Sequence, residues 1–323
     1  KIIHAQLGSL EDIVSSEKHI FYLAADDKNY PGIYCESKKQ LTTAIRAPLI
    51  QPTIPDCFNK AIISEPNHLT FRTDSGDQAY GIYYRPKNNQ LNLPPNILPP
   101  LIINVHGGPT GTAQSALNPM HQFWTSRGFA VFDLNHRGST GYGKTFRNKL
   151  YGQWGIADVR DTINAVKHLV KQGLANAGQI AIRGGSAGGY LVLACLADSD
   201  LFSAGVSYYG IADLELLAKD THKFESRYLE RLIGPYPEKI ELYKNRSPIS
   251  KLQNIDAPVF ILQGKLDKIV PPNQADMLYA ELVEKNPKTQ ILCFEDEGHG
   301  FRKPRNQIEA LKSELAFYED NLS

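Results

Sequence analysis

The chain has 323 residues, of which 42% are hydrophobic, and 35 basic against 34 acidic side chains leave a formal net charge of +1. That size suits one large α/β domain with an appendage. The balanced charge leaves no electrostatic footprint for nucleic acid or an anionic membrane, and no run approaches the ~18 apolar residues of a membrane span.

The chain opens at Lys1 with neither an initiator methionine nor a signal peptide, so a processed product or a fragment is expected. Residues 19–24 and 32–35 are predicted strands separated by the turn residues Asp26, Asp27, Lys28 and Asn29, a short β-meander. Residues 69–72 and 79–84 are a predicted hairpin around Asp74-Ser75-Gly76-Asp77. A proline-rich stretch, residues 93–100, leads into the main domain. From there strands and helices alternate, the pattern of a mostly parallel sheet with helices on both faces. The predicted strands are 101–105, 129–134, 179–182, 205–209, 258–263 and 290–294. Residues 158–170 carry Val159, Ile163, Val166 and Val170 at helical spacing; residues 273–285 and 308–318 are also predicted helices. Cys35, Cys57, Cys195 and Cys293 are scattered with no C-x-x-C, which argues against zinc and redox motifs. Reduced thiols point to the cytoplasm.

Gly184-Gly185-Ser186-Ala187-Gly188-Gly189 is the most informative segment. It sets a serine in G-x-S-x-G between the predicted strand 179–182 and a helix-forming run, 190–197. Strand, sharp glycine turn and helix is the setting of a nucleophile elbow. The acid and base are then expected in the order Ser, Asp, His. Downstream of Ser186 lie only two histidines. His299, in Glu297-Gly298-His299-Gly300-Phe301 after the last strand, is the expected base. His222 lies in a charged stretch and reads as a surface residue. Asp267, in the loop after strand 258–263, is the expected acid, and Asp213 is its rival from one strand earlier. Asp198 and Asp200 end the elbow helix on the wrong side, and Asp296 is too close in sequence to His299. The oxyanion hole is expected from the backbone N–H of Ala187 and that of Gly108 in His106-Gly107-Gly108-Pro109.

Other residues carry two readings each. Arg137, just past a strand end, either binds a substrate carbonyl or, more often in such places, pairs with an internal carboxylate. Tyr190, Tyr208 and Tyr209 either line a substrate pocket or are core aromatics. Trp154 and Asp158 read as packing and a helix start. Arg302 reads as a structural ion-pair partner.

Four segments in order, His106-Gly107-Gly108-Pro109, residues 135–143 (Asn-His-Arg-Gly-Ser-Thr-Gly-Tyr-Gly), residues 184–190 and residues 297–301, resemble the prolyl oligopeptidase family of serine peptidases. The acylaminoacyl-peptidase-like branch is the most similar. The resemblance runs from about Ser64 to the end. It implies an α/β-hydrolase fold preceded by a β-propeller, with residues 1–63 the remnant of that propeller and residues 64–323 the catalytic domain. It also implies a Ser186–Asp267–His299 triad, peptide substrates, an acyl-enzyme, and no metal or organic cofactor. Members with a tyrosine oxyanion donor carry it where this chain has His106-Gly107-Gly108, so two backbone donors are expected. An esterase using the same triad is the alternative activity, and a non-enzymatic binding module the third class. A homo-oligomer is left open.

Overall fold

A computed structural model describes residues 7–39, 47–54, 62–90, 94, 96–220 and 227–322. His222 and Cys57 lie outside these. Eight strands form the main sheet: β4 (Pro66–Arg72), β5 (Gln78–Tyr84), β6 (Leu101–Val105), β7 (Ala130–Asn135), β8 (Ile180–Gly185), β9 (Ala204–Tyr208), β10 (Val259–Gly264) and β11 (Gln290–Phe294). Their order is β11-β10-β9-β8-β6-β7-β5-β4. β4, β5 and β7 pair antiparallel, and every other neighbouring pair is parallel. The expected α/β-hydrolase sheet is therefore present. Its central strands read Leu-Ile-Ile-Asn-Val and Val-Phe-Ile-Leu-Gln-Gly because both faces are covered.

One face carries α3 (Ala157–Lys171), α4 (Ala187–Asp198) and α8 (Pro272–Lys285). The other carries α1 (Pro119–Thr125) and α9 (Pro304–Asn321), packed through Trp124, Phe317 and Tyr318. α4 is buried from Ala187 to Ala197, hence its unbroken apolar run. In α3 the buried stripe is Val159, Thr162, Ala165, Val166 and Leu169, while Ile163 and Val170 sit at its margin. The short α2 (Lys144–Asn148), α5 (Leu214–Asp220), α6 (Tyr228–Leu232) and α7 (Ile240–Arg246) complete the helices among the described residues. No helix there is long and apolar enough to cross a membrane.

The amino-terminal sheet is β1 (Ser9–Ser15), β2 (His19–Ala25) and β3 (Gly32–Ser37), antiparallel in that order. β2 and β3 lie where the sequence predicts strands. β1 was not foreseen: Ser-Leu-Glu-Asp-Ile-Val-Ser has no clean alternation, and a bulge between Glu11 and Val14 interrupts its register. The segment that leads into β4 is pinned to the main domain. Ser64 exchanges backbone hydrogen bonds with the Gln122 carboxamide, and its hydroxyl donates to the Arg85 carbonyl at 2.6 Å.

A buried polar chain crosses the α1/α9 side of the sheet. The Arg183 guanidinium of β8 pairs with Glu314 of α9 at 2.7 Å. The Tyr208 and Tyr318 hydroxyls donate to the same carboxylate. Arg183 also donates to Asn104, Asn104 to Asp133, and Asp133 pairs with His121 at 3.0 Å. Arg183 and Glu314 are both buried. Removing one partner strands the other charge, and such losses run to ~3–5 kcal/mol. Glu314→Ala is therefore expected to lower the denaturant midpoint of unfolding by a shift of that size with an unchanged m-value; wild-type stability would show that the pair is not carrying β8 and α9 together.

Candidate active site

Ser186 stands between the end of β8 and the first residue of α4. Its backbone lies at φ +57° and ψ −122°, a region L side chains rarely adopt. A strained residue of this kind persists only where its surroundings over-determine it. Here the Ser186 N–H donates to the Tyr208 carbonyl of β9, and the Ser186 carbonyl accepts from the Tyr190 N–H, each at 3.0 Å. The turn is tight because helix and strands touch backbone to backbone. A Cβ on Gly188 would lie 2.5 Å from the Val105 carbonyl oxygen, and one on Gly184 would lie 2.7 Å from the Gly188 carbonyl. Glycine at both positions lets α4 start directly over β6 and β8.

His299 and Asp267 meet Ser186 from two other loops. The His299 Nε2 is 2.9 Å from the Ser186 hydroxyl oxygen, and its Nδ1 is 2.8 Å from Asp267 Oδ2. The two loops are laced together. The Lys265 N–H donates to the Phe294 carbonyl and the Leu266 N–H to the Glu297 carbonyl, both at 2.9 Å. A Cβ on Gly264 would lie 2.5 Å from both the Glu297 and Gly298 carbonyl oxygens. The histidine loop thus rests on the bare end of β10. The Glu297 carboxylate closes that loop by accepting from the N–H groups of Arg302 and Lys303 and from Asn306.

Asp267 Oδ1 accepts from the N–H groups of Ile269 and Val270 at 2.8 and 2.9 Å. Burial alone would raise its carboxyl pKa. The His299 hydrogen bond and those two amides outweigh burial and hold it below the ordinary range. The carboxylate is therefore ionised at neutral pH. Asp267 can accept only, so Nδ1 carries the proton and Nε2 is free to accept from Ser186. The rival carboxylate, Asp213, is used elsewhere: its Oδ1 accepts from the N–H groups of Glu215 and Leu216 at the start of α5.

The His106–Pro109 loop passes the serine at Gly107, where a Cβ would lie 3.0 Å from the Gly185 carbonyl oxygen and 3.6 Å from Ser186 Cβ. Gly108 follows at φ +119°. Ala187 is the first residue of α4, so its N–H belongs to the turn that has no intrahelical acceptor. Ala187 adjoins Ser186 in the chain, and the loop that carries Gly108 approaches the serine through Gly107.

Of the three tyrosines, Tyr208 meets Ser186 through its backbone carbonyl while its hydroxyl donates to Glu314, and Tyr209 brings its ring to the site. Its ring centroid is 4.8 Å from that of His299, and its backbone, at φ +38°, is a second left-handed position. Arg137 does not reach Ser186. It is buried, with its guanidinium paired to Asp161 at 2.7 Å and donating to Ser75, the internal-carboxylate reading. Tyr190 is fully buried, packed on Trp154 with its hydroxyl donating to the Arg246 carbonyl, so it is a core aromatic rather than a pocket wall. Asp158 accepts from the Gly155 N–H ahead of α3, and burial pushes its carboxyl up to about 7. Glu297 and Gln263, which donates to the Val270 carbonyl within the acid loop, were missed as supports of the site. Their only signal was adjacency to the motifs. Among the described residues no group of three or more His, Cys, Asp or Glu is placed to hold a metal ion.

A family profile described as "Prolyl oligopeptidase family" matches residues 116–323. "Dipeptidyl peptidase family member 6" of Caenorhabditis elegans is 34% identical over 232 residues, which is 70% of this chain and 31% of that protein. A Mycobacterium tuberculosis puromycin-hydrolyzing peptidase superposes with a TM-score of 0.91 at 37% identity, over 97% of this chain and 48% of that one. A Pyrococcus horikoshii acylaminoacyl peptidase superposes with a TM-score of 0.82 at 26% identity, over 96% and 49%. The chain therefore spans about a third of such curated relatives and about half of such solved chains.

The glycine contacts at the elbow can be tested directly. Gly188→Ala drives a methyl group into the Val105 carbonyl, a main-chain atom with little room to yield. Overpacking of this kind costs about 1–3 kcal/mol, and a shifted elbow should also lower turnover. A Gly188→Ala protein with parent melting temperature and parent turnover would mean that α4 need not sit this close to the sheet.

Proposed function

The chain belongs to the prolyl oligopeptidase family of serine peptidases, and on that premise we propose that it hydrolyses short peptides or acyl-amino acids through an acyl-enzyme on Ser186. The observation that carries the reading is the continuous hydrogen-bonded line Ser186–His299–Asp267, with contacts of 2.9 and 2.8 Å. His299 takes the serine proton through Nε2 as the oxygen attacks the carbonyl carbon, then delivers it to the leaving amine. Asp267 holds the tautomer and offsets the charge of the imidazolium. The N–H groups of Ala187 and Gly108 receive the oxyanion. Water then attacks the acyl-enzyme with the same histidine as base, and the acid product leaves. Residues 64–323 act as the catalytic domain, and residues 1–63 as the remnant of a propeller.

Peptide rather than ester substrates are supported by the family and by the puromycin-hydrolyzing and acylaminoacyl peptidases that the chain resembles. Ser186→Ala is expected to leave a folded protein whose turnover of peptide anilides falls by several orders of magnitude. A serine-directed phosphonate should modify Ser186 alone, as read by peptide mass spectrometry; modification of a different serine would remove the assignment. Turnover of simple aryl esters with none of peptide anilides would replace the peptidase by an esterase.

The pH dependence has a definite sign. Protonation of His299 at Nε2 removes the acceptor for the serine proton, while Asp267, held low by its hydrogen bonds, stays ionised. Peptide kcat/KM should therefore fall as the pH is lowered and His299 takes up a proton. A rate that stays level from acid to neutral pH would exclude a histidine base.

A further inference from the structure

Among the described residues, four that are not glycine have φ in the left-handed region: Asp12, Asn96, Ser186 and Tyr209. Asp12 and Asn96 carry short polar side chains that tolerate it, and Ser186 is the elbow. Tyr209, at φ +38°, is the one without a reason of its own. A bulky side chain there is an outlier, and such strain persists only where the surroundings over-determine it. The proton transfers assigned to the triad give this tyrosine no task.

Its backbone and its ring are held by all three parts of the triad. The Tyr208–Tyr209 peptide group lies between two neighbours. Its carbonyl accepts from the Ser186 N–H at 3.0 Å, and its N–H donates to the Leu262 carbonyl at 2.7 Å. One rigid peptide thus links the nucleophile turn to β10, the strand that leads into the Asp267 loop. Successive side chains along a strand point to opposite faces. The left-handed turn at Tyr209 breaks that alternation, and both tyrosine rings reach Phe301, with centroids at 5.8 and 5.5 Å. The Tyr209 ring also meets His299, at 4.8 Å. His299 and Phe301 belong to one loop, so the ring grips the base's loop at two points. Its far edge rests on the elbow: a Cβ on Gly185 would lie 2.9 Å from Cε2 and 3.1 Å from the hydroxyl oxygen of Tyr209. The ring fits there because the residue before the nucleophile carries no side chain.

We propose that Tyr209 is a positioning residue for the base: its ring, wedged against Gly185 on one side and the His299–Phe301 loop on the other, sets the separation between His299 Nε2 and the Ser186 hydroxyl. The inference rests on the serine-peptidase reading above. Peptide hydrogen bonds join the nucleophile turn to the acid's strand, and the ring adds the base to that frame. The strained backbone is what aims the ring at this gap. The ring carries the effect rather than the hydroxyl, and it needs no contact with substrate.

The test compares Tyr209→Leu, which removes the ring, with Tyr209→Phe, which keeps it, in steady-state cleavage of a peptide anilide and in the rate of phosphonate labelling. Tyr209→Leu should lower kcat by roughly 10- to 10²-fold, the scale of a misplacement of about 1 Å, and slow labelling of Ser186 in proportion. KM and the affinity for a product peptide should stay near the parent values. Tyr209→Phe should recover most of the loss. A second variant reads the same contact from the other side. Gly185→Ala sets a methyl group against Cε2, Cζ and the hydroxyl of Tyr209, and leucine has no atoms that far out. It should therefore lower kcat in the parent and add little in the Tyr209→Leu background, the non-additivity of residues in contact. Additive losses, equal losses in Tyr209→Leu and Tyr209→Phe, or losses confined to KM or to melting temperature would make Tyr209 a pocket wall or a core ring and overturn the proposal. Labelling of the parent separates the two failures: if Ser186 is labelled and Tyr209→Leu is fully active, this inference alone falls, whereas an unlabelled Ser186 removes the peptidase reading itself.

Discussion

The unfavourable backbone at Ser186 is the constraint from which the site is built. A residue at φ +57° with a side chain costs of order 1–3 kcal/mol. The compensation comes in part from the first turn of α4 and otherwise from tertiary contacts. β9 supplies the Tyr208 carbonyl for the Ser186 N–H, α4 returns the Tyr190 N–H to the Ser186 carbonyl, and the Gly188 backbone lies against Val105 of β6. Three elements must be in place before the serine can project at the head of a helix. The strain is thus tied to the folded sheet, and the proposed nucleophile is held in this pose only when the sheet is formed.

The sheet in turn is tied across its far face by charge. Most of that layer is aromatic and aliphatic, with Trp124, Phe260, Phe317 and Tyr318 in contact. Through it runs the line His121–Asp133–Asn104–Arg183–Glu314, which touches α1, β7, β6, β8 and α9 in turn. Tyr208 joins this line by its hydroxyl and Ser186 by its backbone carbonyl. Buried charges are a poor source of net stability. Their geometric demand is strict, however, and here it fixes how β8 and β9 lie where the elbow departs.

Much of this was legible in the chain, for physical reasons. Buried parallel strands must be short apolar runs, so the six strands β6 to β11 stood out; the β4–β5 hairpin followed from its Asp74–Asp77 turn, and α3, α8 and α9 from their helical patterns. Ser186, His299 and Asp267 were readable because each sits in a loop after a strand, and strand ends are where such sheets gather reactive groups. Other features depended on contacts distant in sequence. Tyr190 could be a pocket wall or a core ring until its hydroxyl was seen on the Arg246 carbonyl, 56 residues away. Glu297 reads as one more acidic residue until its carboxylate is found holding two loop amides. β1 lacks the alternation that marks a half-buried strand, and its large apolar side chains Leu10, Ile13 and Val14 are exposed. Its pairing with β2 is what makes it a strand.

The register of the sheet explains why glycine-bearing segments from separate parts of the chain gather at one rim. Val105 of β6 lies opposite both Leu134 of β7 and Gly184 of β8, Gly185 lies opposite Tyr208 of β9, and Gly264 of β10 lies opposite Phe294 of β11. Six neighbouring strands therefore end at nearly one level, and every loop after them starts from the same rim. Loops that begin so close collide unless some carry no side chain. The glycines fall where the collisions would occur: Gly107 against the serine, Gly188 against β6, Gly189 against Gly210, and Gly264 beneath the histidine loop. A motif such as His106-Gly107-Gly108-Pro109 is then less a chemical signature than a record of crowding. Side chains that remain at the rim, among them Ser186, Tyr209, Asp267 and His299, are the ones for which the packing leaves room.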